Sequence, residues 1–155
     1  MEKETVFETQ EYKIAVLLRH VDLTITKARR IELEPLGITP PQMGILHFAQ
    51  DDGIPCTVLK LRRTMLHSNS SLVNVLNRME KKGLIERQPD PRSRKFTRIV
   101  VTEKGQEIYQ KAMNLSAFHT IISSLSAEDK QCFQQHLNVL KQAADKLLTH
   151  YKNSD

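Results

Sequence analysis

Apolar residues at three- and four-residue steps open the chain. Ile14, Leu17, Leu18, Val21, Ile25, Ala28 and Ile31 form the stripe of a long amphipathic helix over about Thr9 to Glu34. Pro35 and Gly37 end it. Thr39 opens a second helix, with Pro40 where a missing N–H is harmless and Gln42 placed for a capping box. Met43, Leu46 and Ala49 mark its inner face. After Gly53, Ile54-Pro55-Cys56 reads as a short extended piece, and Thr57 caps a short third helix burying Val58, Leu61 and Met65. The fourth helix runs from an N-cap at Ser68 to a stop at Gly83, with Leu72, Val75, Leu76 and Met79 on one face.

Beyond Gly83 the period changes. LIERQ and FTRIVVT carry strand-type residues, and the seven residues PDPRSRK between them read as a hairpin loop. Thr102 caps a fifth helix with Ile108, Ala112 and Leu115 on one side. Ser126 caps a sixth, where Phe133, Leu137, Leu140, Ala144, Leu147 and Tyr151 make a near-heptad seam. The pattern therefore predicts a mainly α fold: a winged helix-turn-helix with a two-stranded wing, flanked by N- and C-terminal helices. One domain over 1–155 is expected, with a winged-helix part at about 36–102 and helical parts at 9–34 and 103–152.

Charge changes the picture. The 155-residue chain has a net charge of +5. Between Thr57 and Lys104 there are twelve cations against four acids, a local balance of +8 that leaves −3 for the rest. A basic module in an acidic frame points to a polyanionic partner. No apolar run approaches the ~18 residues of a membrane span, so no membrane association is expected. The acidic, polar N-terminus lacks an apolar core for secretion. Cys56 and Cys132 form no disulfide framework, so a reducing cytoplasm is the expected setting.

The fourth helix supplies the candidate chemistry. Ser68, Asn69, Ser70 and Ser71 are small and polar, as a helix entering the major groove requires at its N-terminus. Asn74 and Asn77 lie one turn apart on the outer face, beside Val73 and Arg78, and asparagine can pair with adenine N6 and N7. Thr57 joins these as a candidate DNA contact. On the wing, Pro89 and Pro91 limit freedom, and Arg92, Arg94 and Lys95 are held out as cations. Arginine is thin, permanently charged and weakly hydrated, and suits a narrow minor groove.

At these residues the chain resembles a known family. VLNRMEKKGLIERQPDPRSRKFTRIVVTEKG is similar to the core of the MarR family of bacterial and archaeal transcription regulators. The matching steps are the Met-Glu-Lys-Lys-Gly-Leu turn at Met79 to Leu84, the Asp-Pro-x-x-Arg wing at Asp90 to Arg94, and Thr-x-Lys-Gly at Thr102 to Gly105. The resemblance implies a homodimer held by the terminal helices, binding a pseudo-palindromic double-stranded DNA operator. It implies a recognition helix over about Ser68 to Lys82 and a minor-groove arginine at Arg94. It further implies repression of nearby genes, often relieved by a small-molecule effector. The family architecture suggests a pocket near Met43, His47 and Tyr109. One position departs from the family: the acid that commonly precedes the wing arginine is Ser93, which brings Arg92 into consideration for the same role.

The apolar stripes at both chain ends support dimerisation independently. A two-fold pair would bury them and set two recognition helices about one DNA turn apart, ~34 Å. Other classes leave weaker marks. There is no HExxH, Gly-rich phosphate loop or GxSxG, so neither an enzyme nor a cofactor is expected. His20, His47, His67, His119, His136 and His150 include no i, i+4 pair for a metal, and the chain reads as metal-free. A redox sensor would use Cys56 or Cys132, each near a helix start. A winged-helix module binding an acidic protein is the remaining alternative.

Overall fold

The structure, a computed structural model, describes residues 9–50, 56–65, 69–90, 93–115 and 117–152. Seven α-helices and one hairpin occur among them: α1 (Gln10–Leu33), α2 (Pro40–Ala49), α3 (Val58–Met65), α4 (Asn69–Lys81), β1 (Ile85–Asp90), β2 (Ser93–Val101), α5 (Glu103–Met113), α6 (Ala117–Ile122) and α7 (Ala127–Lys152). A single 3₁₀ turn, Glu34–Leu36, follows α1. The chain forms two compact units, residues 1–117 and 118–155.

Capping fixes most boundaries. Thr9 Oγ1 accepts from Tyr12 N, Thr57 Oγ1 from Lys60 N, Thr102 Oγ1 from Gly105 N and Ser126 Oγ from Asp129 N. Gln42 Oε1 accepts from Thr39 N at 3.0 Å, closing the expected capping box. Two helical segments end in left-handed glycines, Gly37 at φ 68° and Gly83 at φ 67°. At the second, Leu84 N donates to Met79 O and Gly83 N to Glu80 O, a Schellman motif that turns the chain sharply into the wing.

The core of the first unit gathers Leu33, Ile38, Ile45, Leu46, Leu61, Leu72, Leu76, Met79, Leu84, Ile85, Ile99 and Ala112. The expected inner face of α4 is there, with Val75 only partly buried. In α2, Ile45 is fully buried beside Met43 and Leu46, an inward position that the three/four spacing does not include.

Two expectations change, at α6 and in the hairpin. The apolar stripe of α1 is largely exposed in the single chain, as a stripe left for a partner copy would be, and its buried residues are Arg29 and Leu33. The C-terminal end of α1 is anchored: Arg29 Nη2 donates to Ala112 O at 2.9 Å, and Glu32 Oε1 accepts from Ala117 N at 2.7 Å. Next, the short helix α6 stands where no element was expected, so the heptad-like seam belongs to the seventh helix. Finally, the hairpin loop is shorter than PDPRSRK. β1 runs through Pro89 and Asp90, and β2 begins at Ser93. A proline is tolerated there because both strands are edges, and its missing N–H breaks no ladder in a wider sheet.

Candidate nucleic-acid interface

The outer face of α4 carries Ser71, Asn74, Asn77, Arg78 and Lys81, all exposed, with exposed Val73 among them. Leu72, Leu76 and Met79 lock the opposite face into the core. Rotation of this helix would therefore expose three fully buried side chains. Its C-terminal end is clamped by the Thr-x-Lys-Gly segment. Thr102 Oγ1 donates to Gly83 O at 2.6 Å, Thr102 N to Leu84 O at 3.1 Å, and Lys104 Nζ to Lys82 O at 2.8 Å. Gly105 belongs here for want of space: a Cβ at this position would collide with Leu84 O.

The wing is an antiparallel pair in regular register from Ile85↔Val101 to Pro89↔Thr97. The next partner of β1 is Asp90↔Ser93, so Arg94, Lys95 and Phe96 form a bulge in β2. A bulge bends and twists its strand, and here the residues set off the ladder include two cations. Phe96 is half exposed, whereas Asp90 is buried at the end of β1. An isolated bridge from Thr57 to Arg98, with Ile99 N donating to Cys56 O at 2.7 Å, ties the wing to the start of α3.

The expected contact residues divide clearly. Asn69 and Ser70 occupy the first two positions of α4, and Arg94 and Lys95 lie in the wing bulge. Ser68 and Arg92 lie outside the described residues. Thr57 is half buried and its hydroxyl caps α3. Asn77 is held from β1: Arg87 Nη2 donates to its Oδ1 at 2.8 Å, while Arg87 Nη1 donates to Glu80 Oε2 at 2.8 Å. In the sequence Arg87 reads only as one positive charge among many. The available signal is its place three residues into the strand after the Schellman turn, which brings the strand back along α4. Lys82, Arg98 and Lys104 are likewise bound within the chain, to Gly37 O, Gln88 Oε1 and Lys82 O. At least four of the twelve cations therefore also bond within the module; bonds to neutral oxygens leave their charge in place, and Glu80 is already counted in the local balance.

Of the residues suggested for a pocket, His47 and Tyr109 touch one another. His47 Nδ1 lies 3.1 Å from Tyr109 Oη, the two rings stack with centroids 6.2 Å apart, and Met43 is buried one turn before His47. Two clefts bounded by described residues lie elsewhere. One is lined by Leu36, Ile38, Leu84 and Ile108 beside Lys82 and Lys104, and another runs along the polar face of α5. Cys56 is buried, and desolvation pushes its thiol up to about 11 against the smaller opposing effect of Lys60. It is therefore a poor nucleophile at neutral pH. Cys132 is exposed, with its Sγ 3.6 Å from His136 Nδ1. Among the described residues no group of three His, Cys, Asp or Glu side chains could hold a metal, and no helix is long and apolar enough to cross a membrane.

Comparison with known proteins agrees with this geometry. Residues 36–95 match the family model described as the MarR family. The chain is 30% identical over 146 residues to the organic hydroperoxide resistance transcriptional regulator of Bacillus subtilis (strain 168), covering 92% of this chain and 93% of that one. It is 29% identical to the HTH-type transcriptional regulator YsmB of the same organism, over 80% of this chain and 86% of the relative. Among solved structures, the ligand-free organohalide-sensing transcriptional regulator RdhR is similar, with a TM-score of 0.78, 26% identity, and 95% of this chain and 89% of that one covered. A mutant of MarR from E. coli complexed with operator DNA has the same fold, at a TM-score of 0.78 and 20% identity over 88% of this chain and 99% of that one. These relatives are regulators and not enzymes, and the chain, with its capped α4, clamped turn and two-stranded wing, belongs to the MarR family of transcriptional regulators.

Proposed function

We propose that two copies of this chain bind a pseudo-palindromic operator in the cytoplasm and repress nearby genes. Each α4 enters a major groove through Asn69, Ser70, Ser71 and Asn74, with Ser68 before them. Each wing lays Arg94 and Lys95, and Arg92 beside them, along the adjacent minor groove. The observation that carries this reading is the polar outer face of α4, fixed in rotation by three buried side chains and flanked by a hairpin whose bulge holds two cations. The terminal helical parts, 9–34 and 103–152, supply the dimer contact, and their exposed apolar residues support that role. The same fold is found complexed with DNA in MarR from E. coli and in MepR from S. aureus.

An effector is the second part of the proposal. The organohalide-sensing relative binds 2,4-dichlorophenol. In this chain the stacked His47–Tyr109 pair joins α2 to α5, and its polar edge, with Met43 one turn earlier on α2, suits a small aromatic molecule. The burial of Cys56 argues against a redox response through that thiol.

Selection of bound sequences from random DNA tests the main claim. The expected product is a two-fold site with half-sites about one turn apart. Asn74→Ala should relax the preference at one symmetric pair of positions. Arg94→Ala should weaken binding to all sequences alike and reduce the salt slope by about one for each phosphate deprived of its arginine. Unchanged binding in both variants would defeat the proposal.

A further inference from the structure

We infer that Arg87 sets which base Asn77 reads, by holding the asparagine amide in one orientation. The inference rests on the proposed docking of α4 in the major groove. A guanidinium has five N–H donors and no acceptor. The Asn77 atom facing Arg87 Nη2 at 2.8 Å must therefore be the carbonyl oxygen, whatever the ambiguity of an isolated amide. The second arm of the same fork is held by Glu80 Oε2 at 2.8 Å, so Arg87 cannot turn away without losing both bonds. Glu80 and Asn77 lie one turn apart on α4, and the planar fork spans that turn from β1.

The consequence is chemical. An unrestrained asparagine offers a donor and an acceptor together, which is what adenine N6 and N7 require. Asn77 has its acceptor engaged, and its NH₂ group remains to face the groove. The oxygen keeps a second lone pair, but it is turned toward Arg87, so the amide presents mainly its donors. Such a group favours a base edge with acceptors, guanine N7 and O6 or thymine O4, over cytosine, whose edge is an amino group, and over adenine, where N7 alone accepts and the N6 amino group meets an N–H. The side chain of Arg87 is partly exposed and that of Glu80 more so, so their ion pair adds little to stability. Its role is to fix the direction of a neighbouring amide.

The test is selection from random DNA with the full-length protein and four variants, each first checked for an unchanged thermal transition. The wild type should favour guanine or thymine at the step that Asn77→Ala relaxes. Arg87→Ala frees the amide, and preference at that step should move to adenine, by about five- to a hundredfold in relative affinity. Asn77→Asp keeps the bond to Arg87 but turns an acceptor outward, so preference should move to cytosine. This variant decides the matter if Arg87→Ala fails to fold. Arg87→Lys, with one donor head for two partners, should give an intermediate shift. A preference unmoved by Arg87→Ala, or a wild type that favours adenine at this step, overturns the inference. So does an Asn77→Ala variant that loses affinity equally for all sequences, which would put Asn77 on a phosphate. In each of these cases operator binding survives. A wild type that enriches no sequence at all overturns the docking of α4 and this inference with it.

Discussion

Leu72 and Leu76 of α4 and Leu137 and Leu140 of α7 are the same side chains at helical spacing, and their fates differ. The first pair is at most 1% exposed, whereas the second is 38% and 48% exposed. The winged-helix segment closes its own core within one chain, through α2, α4, the wing and the clamp at Thr102–Gly105. The long end helices do not: α1 leaves Leu17 and Ile31 more than 60% exposed, and α7 is exposed along its entire seam. An exposed apolar stripe along a long helix marks an interaction face. The comparison teaches that one half of the fold is satisfied by folding and the other half only by association. Damage to the first should be independent of protein concentration, and damage to the second should not.

The largest expected effect lies at the clamp. Gly105→Ala would drive a methyl group against Leu84 O and against Val101 Cγ1, 2.8 Å away. Leu84 O cannot yield, because it is already the acceptor of Thr102 N and Leu84 is fully buried. Alanine's better helix propensity, worth at most ~1 kcal/mol, is outweighed by overpacking of about 3 kcal/mol. Thermal denaturation should show the loss equally at low and high concentration. A stable variant would mean that the clamp is looser than its hydrogen bonds imply.

The end helices call for the opposite signature. In a lone chain, Leu137→Glu with Leu140→Glu would touch only exposed positions and change stability by about 0.5 kcal/mol or less. In the proposed dimer the same change puts charges into an apolar interface. The dissociation constant should rise about a hundredfold or more, since each 1.4 kcal/mol is a factor of ten. Sedimentation at several concentrations measures it, and removal of residues 133–155 should give an insoluble or non-binding protein. A double variant that remains a dimer would move the contact away from α7.

Much of this division is legible in the sequence, because it depends on local signals. The caps at Thr57, Thr102 and Ser126 and the left-handed glycine at position 83 need only a few consecutive residues, and each stands where the pattern puts it. The inner face of α4 is readable because its period is uninterrupted. What escapes depends on contacts between elements. Arg29 reads as an ordinary helix cation until Ala112 O and Glu32 are seen around it. Arg87 reads as part of a basic field until β1 folds back beside Glu80 and Asn77. The hairpin loop reads too long because Pro89 and Pro91 look like strand breakers, and an edge strand admits proline. The stripe on α1 is apolar as its spacing predicts, but periodicity says only which face is greasy and not what covers it.

Cys56 probes the dry half by pH. Its thiol is raised from 9.0 to about 11, chiefly by burial. The folded state therefore holds the proton more tightly than the unfolded state. The stabilisation is complete below the unfolded thiol's pKa and is lost as pH rises through that value toward 11, by up to about 2 kcal/mol. Denaturant titrations between pH 8 and 11 should show that slope, and Cys56→Ala should remove it. At pH 8 a thiol reagent should modify exposed Cys132 promptly and Cys56 only as the unit opens. Equal rates at the two sites would mean that the core near the start of α3 is not closed.

The smallest effect tests how tightly the self-sufficient half is packed. Gly44 lies in the interior of α2, where a Cβ would meet only Met65 Cε, at 3.1 Å. That atom is the far end of a flexible side chain, and a few tenths of an ångström of movement relieves the contact. Alanine also removes backbone freedom from the unfolded chain and gains up to ~1 kcal/mol in helix propensity. Gly44→Ala should therefore be neutral or stabilising by up to about 1 kcal/mol, which thermal denaturation reads as a rise of a few degrees at most. The same glycine-to-alanine change thus has opposite signs at positions 44 and 105, because one neighbour is a methionine tip and the other is a fixed carbonyl. A destabilised Gly44→Ala variant would show that Met65 is as tightly held as Leu84, and the contrast between the two glycines would then rest on backbone contact alone.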